Sequence, residues 1–94
     1  MERERRKFLE GYVKSCTDKE LESVVRIIAE FERAKGAHPK WPADEIHQAA
    51  IVSEEAGELV KSSLQYRYEG RHKSECRKEA IQTGAMALRF LVGE

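Results

Sequence analysis

Ser53-Glu54-Glu55-Ala56-Gly57-Glu58-Leu59-Val60 places three carboxylates within five residues, inside a run that otherwise reads as a helix. At about 100° per residue, Glu55 and Glu58 lie one turn apart, and Glu54 and Glu58 close a second turn. All three are therefore expected on one side of the rod, with Ala49, Val52, Ala56, Leu59, Val60 and Ser63 roughly opposite. Like charges crowded at this spacing cost a few tenths of a kcal/mol per pair, roughly, and a helix has no need of them. A divalent cation turns that repulsion into binding, because hard cations such as magnesium take carboxylate oxygens. The plainer alternative is a solvated face, since glutamate is a good helix former and 36% of the chain is charged.

Outward from this stretch, the acidic helix is expected over residues 43–69. Pro42 suits a first turn, Asp44 and Glu45 favour the positive helix start, and Gly70 ends it. His47 and Gln65 share the carboxylate side and Lys61 sits at its edge. Upstream, Gly36-Ala37-His38-Pro39-Lys40-Trp41-Pro42 is the one long loop. Trp41, the only tryptophan, either caps the core or offers its ring to a nucleobase.

Further upstream, Thr17-Asp18-Lys19-Glu20 has the form of a capping box and opens a helix over residues 18–35. Leu21, Val24, Val25, Ile28 and Phe31 make its apolar stripe, and Gly36 is the expected stop. A short amphipathic helix precedes it within residues 1–16, carrying a basic start and Phe8, Leu9, Tyr12 and Val13. Downstream, Ser74 is the expected cap of a last helix over residues 74–92. Its apolar side holds Ala80, Ile81, Ala87, Leu88, Leu91 and Val92, and Glu75, Glu79, Gln82 and Met86 lie nearly opposite. Two helices with one apolar and one carboxylate side suggest a site shared between them.

These elements make residues 1–94 one all-α domain, a helical bundle with no strand signal and no repeat. A chain of this size buries about 60–65% of its unfolded surface, so oligomerisation is expected to complete the core. The 17 basic and 17 acidic side chains cancel, which argues against a general grip on nucleic acid. No apolar run approaches the roughly 20 residues that span a bilayer, so no membrane partner is expected. The charged start is not followed by the apolar segment of a signal peptide. Cys16 and Cys76 stand apart without CxxC spacing, as expected of reduced thiols in a cytoplasmic protein.

Glu54-Glu55-xx-Glu58, twenty intervening residues, then Glu79-xx-Gln82 resembles the signature of the all-α nucleoside triphosphate pyrophosphatases, which include MazG-like proteins and dimeric dUTPases. The resemblance covers roughly residues 20–92. The segment from Arg77 to Phe90 also resembles the last helix of short, single-domain MazG-like proteins from phages and bacteria. The resemblance implies magnesium, with manganese a possible substitute, held by Glu55, Glu58 and Glu79, and by Gln82 where the family has Asp. It implies that Glu54 holds a further metal ion or positions the attacking water. Glu54, Glu55, Glu58 and Glu79 are thus the implied catalytic set. The implied reaction cleaves a nucleoside triphosphate between its α and β phosphates, giving a monophosphate and pyrophosphate. Trp41, Lys61, Arg77, Lys78 and Arg89 are the substrate-binding candidates, and the assembly expected is a homodimer or homotetramer. Gln82 brings one fewer negative charge than the family Asp, so the alternatives are a nucleotide or metal binder with weakened catalysis, or a plain helical interaction module.

Overall fold

Local start and stop signals fix four helices. In the computed structural model, which describes residues 1–94, they are α1 (Glu2–Ser15), α2 (Asp18–Ala37), α3 (Glu45–Glu69) and α4 (Lys73–Val92), with no strand. Thr17 caps α2 as its sequence predicts. Its hydroxyl oxygen accepts from the Glu20 N–H at 3.1 Å and its O–H donates to the Glu20 carboxylate.

Three boundaries differ from expectation, each for a local reason. Gly36 does not stop α2, which runs on to Ala37 and ends at His38, whose backbone (φ -132°, ψ 72°) has left the helical region. Pro39 forces that ending, because the residue before a proline is pushed out of the helical region. α3 begins at Glu45 rather than 43, since Asp44 takes the extended N-cap conformation and its Oδ1 accepts from the Ile46 N–H at 2.9 Å. α4 begins at Lys73, with His72 in the cap position, so Ser74 lies inside the helix rather than capping it. Gly70 closes α3 at φ +69°, a left-handed conformation that glycine adopts without steric penalty.

α4 is the central rod, packed between α2 and α3. Gly84 permits the α2 contact: a Cβ there would stand 3.1 Å from Ile27 Cδ1, tighter than ordinary packing. The core is small. Phe31 and Ala34 of α2 and Ala85 of α4 are its buried apolar members. The stripe expected to be buried on α2 is only partly so: Phe31 is inside, whereas Val24, Val25 and Ile28 lie exposed. Leu91 and Val92, expected in the core, are also exposed. The three helices form a layer rather than a closed bundle, with α4 packed on both flanks and α2 and α3 each packed on one.

α1 packs against none of the three to any extent, and along its length only Tyr12 is partly shielded. The accessible surface totals 7448 Å². A folded monomer of 10.8 kDa exposes about 5,500 Å². No helix is long and apolar enough to cross a membrane.

Candidate active site

The α3–α4 seam is polar along part of its length. Glu55 does not point away from the packing surface, as the helical pattern suggested; it is half-buried and faces α4. There it meets Gln82. With the amide oriented to satisfy both neighbours, Gln82 Nε2 donates to Glu55 Oε2 at 3.2 Å and to Glu79 Oε2 at 3.1 Å. One neutral side chain thus holds two carboxylates from two helices. Glu54 and Glu58 stay on the exposed side of α3 but within electrostatic reach. Lys61 is exposed beyond them.

Burial pushes the Glu55 carboxyl above its ordinary range, and Glu79, Glu58, Glu54 and Glu30 raise it further in that order. Charge repulsion is therefore built into the seam. No three of the acidic side chains converge closely enough to chelate one ion as they stand, and the Gln82 amide lies between Glu55 and Glu79. The oxygens offered across the seam, two carboxylates and a carboxamide, are the hard donors that magnesium or manganese takes.

Glu30 is a member that the sequence reading missed. It comes from α2, paired with Arg33 at 2.6 Å. The Arg33 hydrogen bond, together with the charges of Arg33 and Lys78, lowers its carboxyl against the opposing effect of burial. Glu30 flanks the apolar stripe next to Phe31, and only the direction in which α2 faces α4 reveals where it goes.

Above the carboxylates a cleft of about 450 Å³ opens between α2, the 38–44 loop, α3 and α4. Glu30, Arg33, Glu55 and Gln82 line one end, and His38, Trp41, His47 and Arg89 line the other. Two buried polar side chains shape the loop end. Gln48 Nε2 donates to the Pro42 carbonyl at 2.6 Å, tying α3 to the loop. Arg89, only 3% exposed, donates through Nη2 to the His38 carbonyl at 2.9 Å and through Nε to the Glu94 carbonyl at 2.7 Å. Its Nη1 approaches the Ala34 carbonyl at 3.5 Å. The guanidinium also lies 4.5 Å from the centre of the Trp41 ring. Arg89, a phosphate-binding candidate from the sequence, is therefore engaged with backbone carbonyls and the indole. The Trp41 Nε1–H is shut off from solvent without an acceptor, which costs stability.

The structure thus brings Glu55, Gln82, Trp41 and Arg89 to one cleft, and Glu79 reaches it only through its hydrogen bond from Gln82. Arg77 and Lys78 lie outside it in a neighbouring groove, and Glu54, Glu58 and Lys61 are exposed and do not line it. No protein-family model, curated protein or solved structure matches this chain.

Proposed function

We propose that the chain is a magnesium-dependent nucleoside triphosphate pyrophosphohydrolase of the MazG-like kind. The supporting observation is the meeting of Glu55, Glu79 and Gln82 across α3 and α4, where burial and neighbouring carboxylates disfavour charge on Glu55. That strain fits a cation-binding site, because a divalent ion relieves it. Glu55, Glu58 and Glu79 would hold magnesium or manganese, with the Gln82 carbonyl as a neutral fourth donor after the amide turns over. When bound, the ion neutralises phosphate charge and polarises a phosphoryl oxygen.

The chain's own groups do the rest. Glu54, on the exposed side of the seam, orients a water molecule and accepts its proton as the oxygen adds to phosphorus. The bond bridging the α and β phosphates breaks, and its electron pair leaves with pyrophosphate. Trp41 offers a base the ring face not covered by Arg89, whose hydrogen bonds to carbonyls hold the indole in place. Lys61, Arg77 and Lys78 meet phosphate oxygens.

The same reading includes a second copy of this chain. The accessible surface exceeds that of a folded monomer of this mass by about 1,900 Å², while a standard interface takes about 800 Å² from each partner. The bare flank carries Val24, Val25, Ile28, Val60 and Leu91, and a wholly apolar groove of about 360 Å³ between Ala49, Val52, Ala87, Phe90 and Leu91. A self-complementary apolar face of this kind suits an isologous dimer.

Pyrophosphate release from a panel of ribo- and deoxyribonucleoside triphosphates, with magnesium, manganese or chelator, tests the reaction. Metal-dependent release that Glu58→Gln abolishes without loss of helicity is expected. Full activity in Glu58→Gln sinks the site assignment. A binder without useful turnover is the second reading, favoured by the Gln82 amide that already satisfies Glu55 and Glu79. Silence across the panel, with magnesium still raising the melting temperature, selects it.

A further inference from the structure

Four cationic side chains line a second groove, of about 420 Å³, between α2 and the first turns of α4. Arg26 and Arg33 come from α2, and Arg77 and Lys78 from α4, with Ser74 between them. Arg26 is paired with Glu22 and Arg33 with Glu30, but Arg77 and Lys78 have no carboxylate within ion-pair distance. Two free cations converging on a groove are a place for an anion, and guanidinium and ammonium donors together match phosphate oxygens. The groove is not isolated. Glu30 and Arg33 line both it and the carboxylate cleft, so the ion pair forms the sill between the two. Lys78 is near enough to Glu30 to lower its carboxyl, and Glu30 near enough to Glu55 to raise that one.

Distances along α4 give the sequence of subsites. At 1.5 Å per residue, Arg89, which covers Trp41, stands about 10 Å from Gln82 along the helix axis, and Lys78 about 6 Å beyond Gln82 on the far side. An aromatic platform, a carboxylate centre and a cationic groove therefore follow one another along a single helix. We infer that the α2–α4 groove binds the terminal phosphates of a nucleoside triphosphate, so that the substrate lies with its base toward Trp41 and its pyrophosphate end on Arg77 and Lys78. This rests on the pyrophosphohydrolase reading for the centre of the path, and it adds a polarity and an exit for the leaving group. A nucleoside monophosphate bound at the centre does not reach the groove.

Inorganic tripolyphosphate is the probe, titrated calorimetrically into the full chain in the presence of chelator, so that binding does not depend on the carboxylate centre. The double substitution Arg77→Ala with Lys78→Ala is expected to weaken tripolyphosphate at least tenfold and to leave a nucleoside monophosphate, titrated with magnesium, unchanged. Both side chains are exposed, so the melting temperature is expected to hold. Undetectable tripolyphosphate binding by the unaltered chain, or equal affinity for the double variant, overturns the assignment. So does an equal loss for both ligands. Comparable tripolyphosphate-competitive binding of a short single-stranded DNA would make the groove a general phosphate-backbone site and likewise overturn it. The outcome is separable from turnover: tripolyphosphate binding that fails in the variant, with no pyrophosphate release from any substrate, retains the groove and discards the reaction.

Discussion

Replacing Arg89 by methionine removes a buried charge while keeping most of the side-chain volume. In the native chain that charge has no side-chain carboxylate partner within 4 Å; it is met by main-chain oxygens and the Trp41 ring. Two of the three carbonyl contacts are strong, at 2.7 and 2.9 Å, and the third at 3.5 Å is marginal. Hydrogen bonds from a charged donor contribute about 1.5–3 kcal/mol each, and stacking on an aromatic face adds about 0.5–2 kcal/mol. Against these stands the cost of desolvating the guanidinium, several kcal/mol, which methionine does not incur. A net loss of about 3 kcal/mol follows for Arg89→Met. For a domain of this size that lowers Tm by roughly 12–24 °C. Urea unfolding followed by circular dichroism at 222 nm, at one fixed protein concentration, measures it. Trp41, the only tryptophan, reports the local part: its emission should shift to the red as the loop loosens. A double-mutant cycle with Trp41→Phe isolates the stacking contribution. Stability within about 0.5 kcal/mol of the native chain, with unchanged emission, would refute the reasoning, because it would show that the burial cost cancels every contact Arg89 makes.

Two further outcomes follow from the charge arrangement and the bare flank. Glu55 holds its proton in the folded state above the pH at which the unfolded chain loses it, so stability falls as pH rises from about 4.5, the ordinary value, into that window. Glu30 acts in the opposite sense: its lowered carboxyl contributes stability above about 4.5 that is lost as pH falls below it. Glu55→Gln is therefore expected to melt higher than the native chain at pH 7 in chelator and to lose any magnesium-dependent stabilisation; a lower Tm in chelator counts against the repulsion. Ile28→Asp places a charge on the bare flank of α2, where Ile28 is 49% exposed in the single chain. If the proposed dimer uses this flank, analytical ultracentrifugation should show a dimer for the native chain and a monomer for the variant, and an unchanged sedimentation coefficient counts against the flank as the interface.

Helix existence was legible because its signals are local. The Thr17 capping box and Gly70 act through neighbours within four residues, and both operate in the structure. The helix ends that moved did so through equally local effects, as at His38 ahead of Pro39. What periodicity could not supply is which flank meets which helix. A polar residue is assigned to solvent by pattern, yet Glu55 and Gln82 lie on the packed seam, because their contact with Glu79 replaces water. Conversely, Val24, Val25 and Ile28 read as core, and they are apolar for a surface that the single chain leaves bare.

Arg89 shows where a signal was present but carried the wrong meaning. Gln82, Ala85 and Arg89 recur at intervals of three and four, the spacing of one helix face, and Ala85 between them is fully buried. An arginine in that register is an inward residue, and an inward arginine needs acceptors. The only acceptors that a helix end and a proline-rich loop offer in numbers are carbonyls released from helical bonding. The end of α2 and the 38–44 loop supply them, which places the indole of Trp41 against the guanidinium and sets the loop end of the cleft. The same stripe that carries Gln82 to the carboxylates thus carries Arg89 to the aromatic wall. One face of α4 thereby fixes both the charge centre and the position of the ring that flanks it.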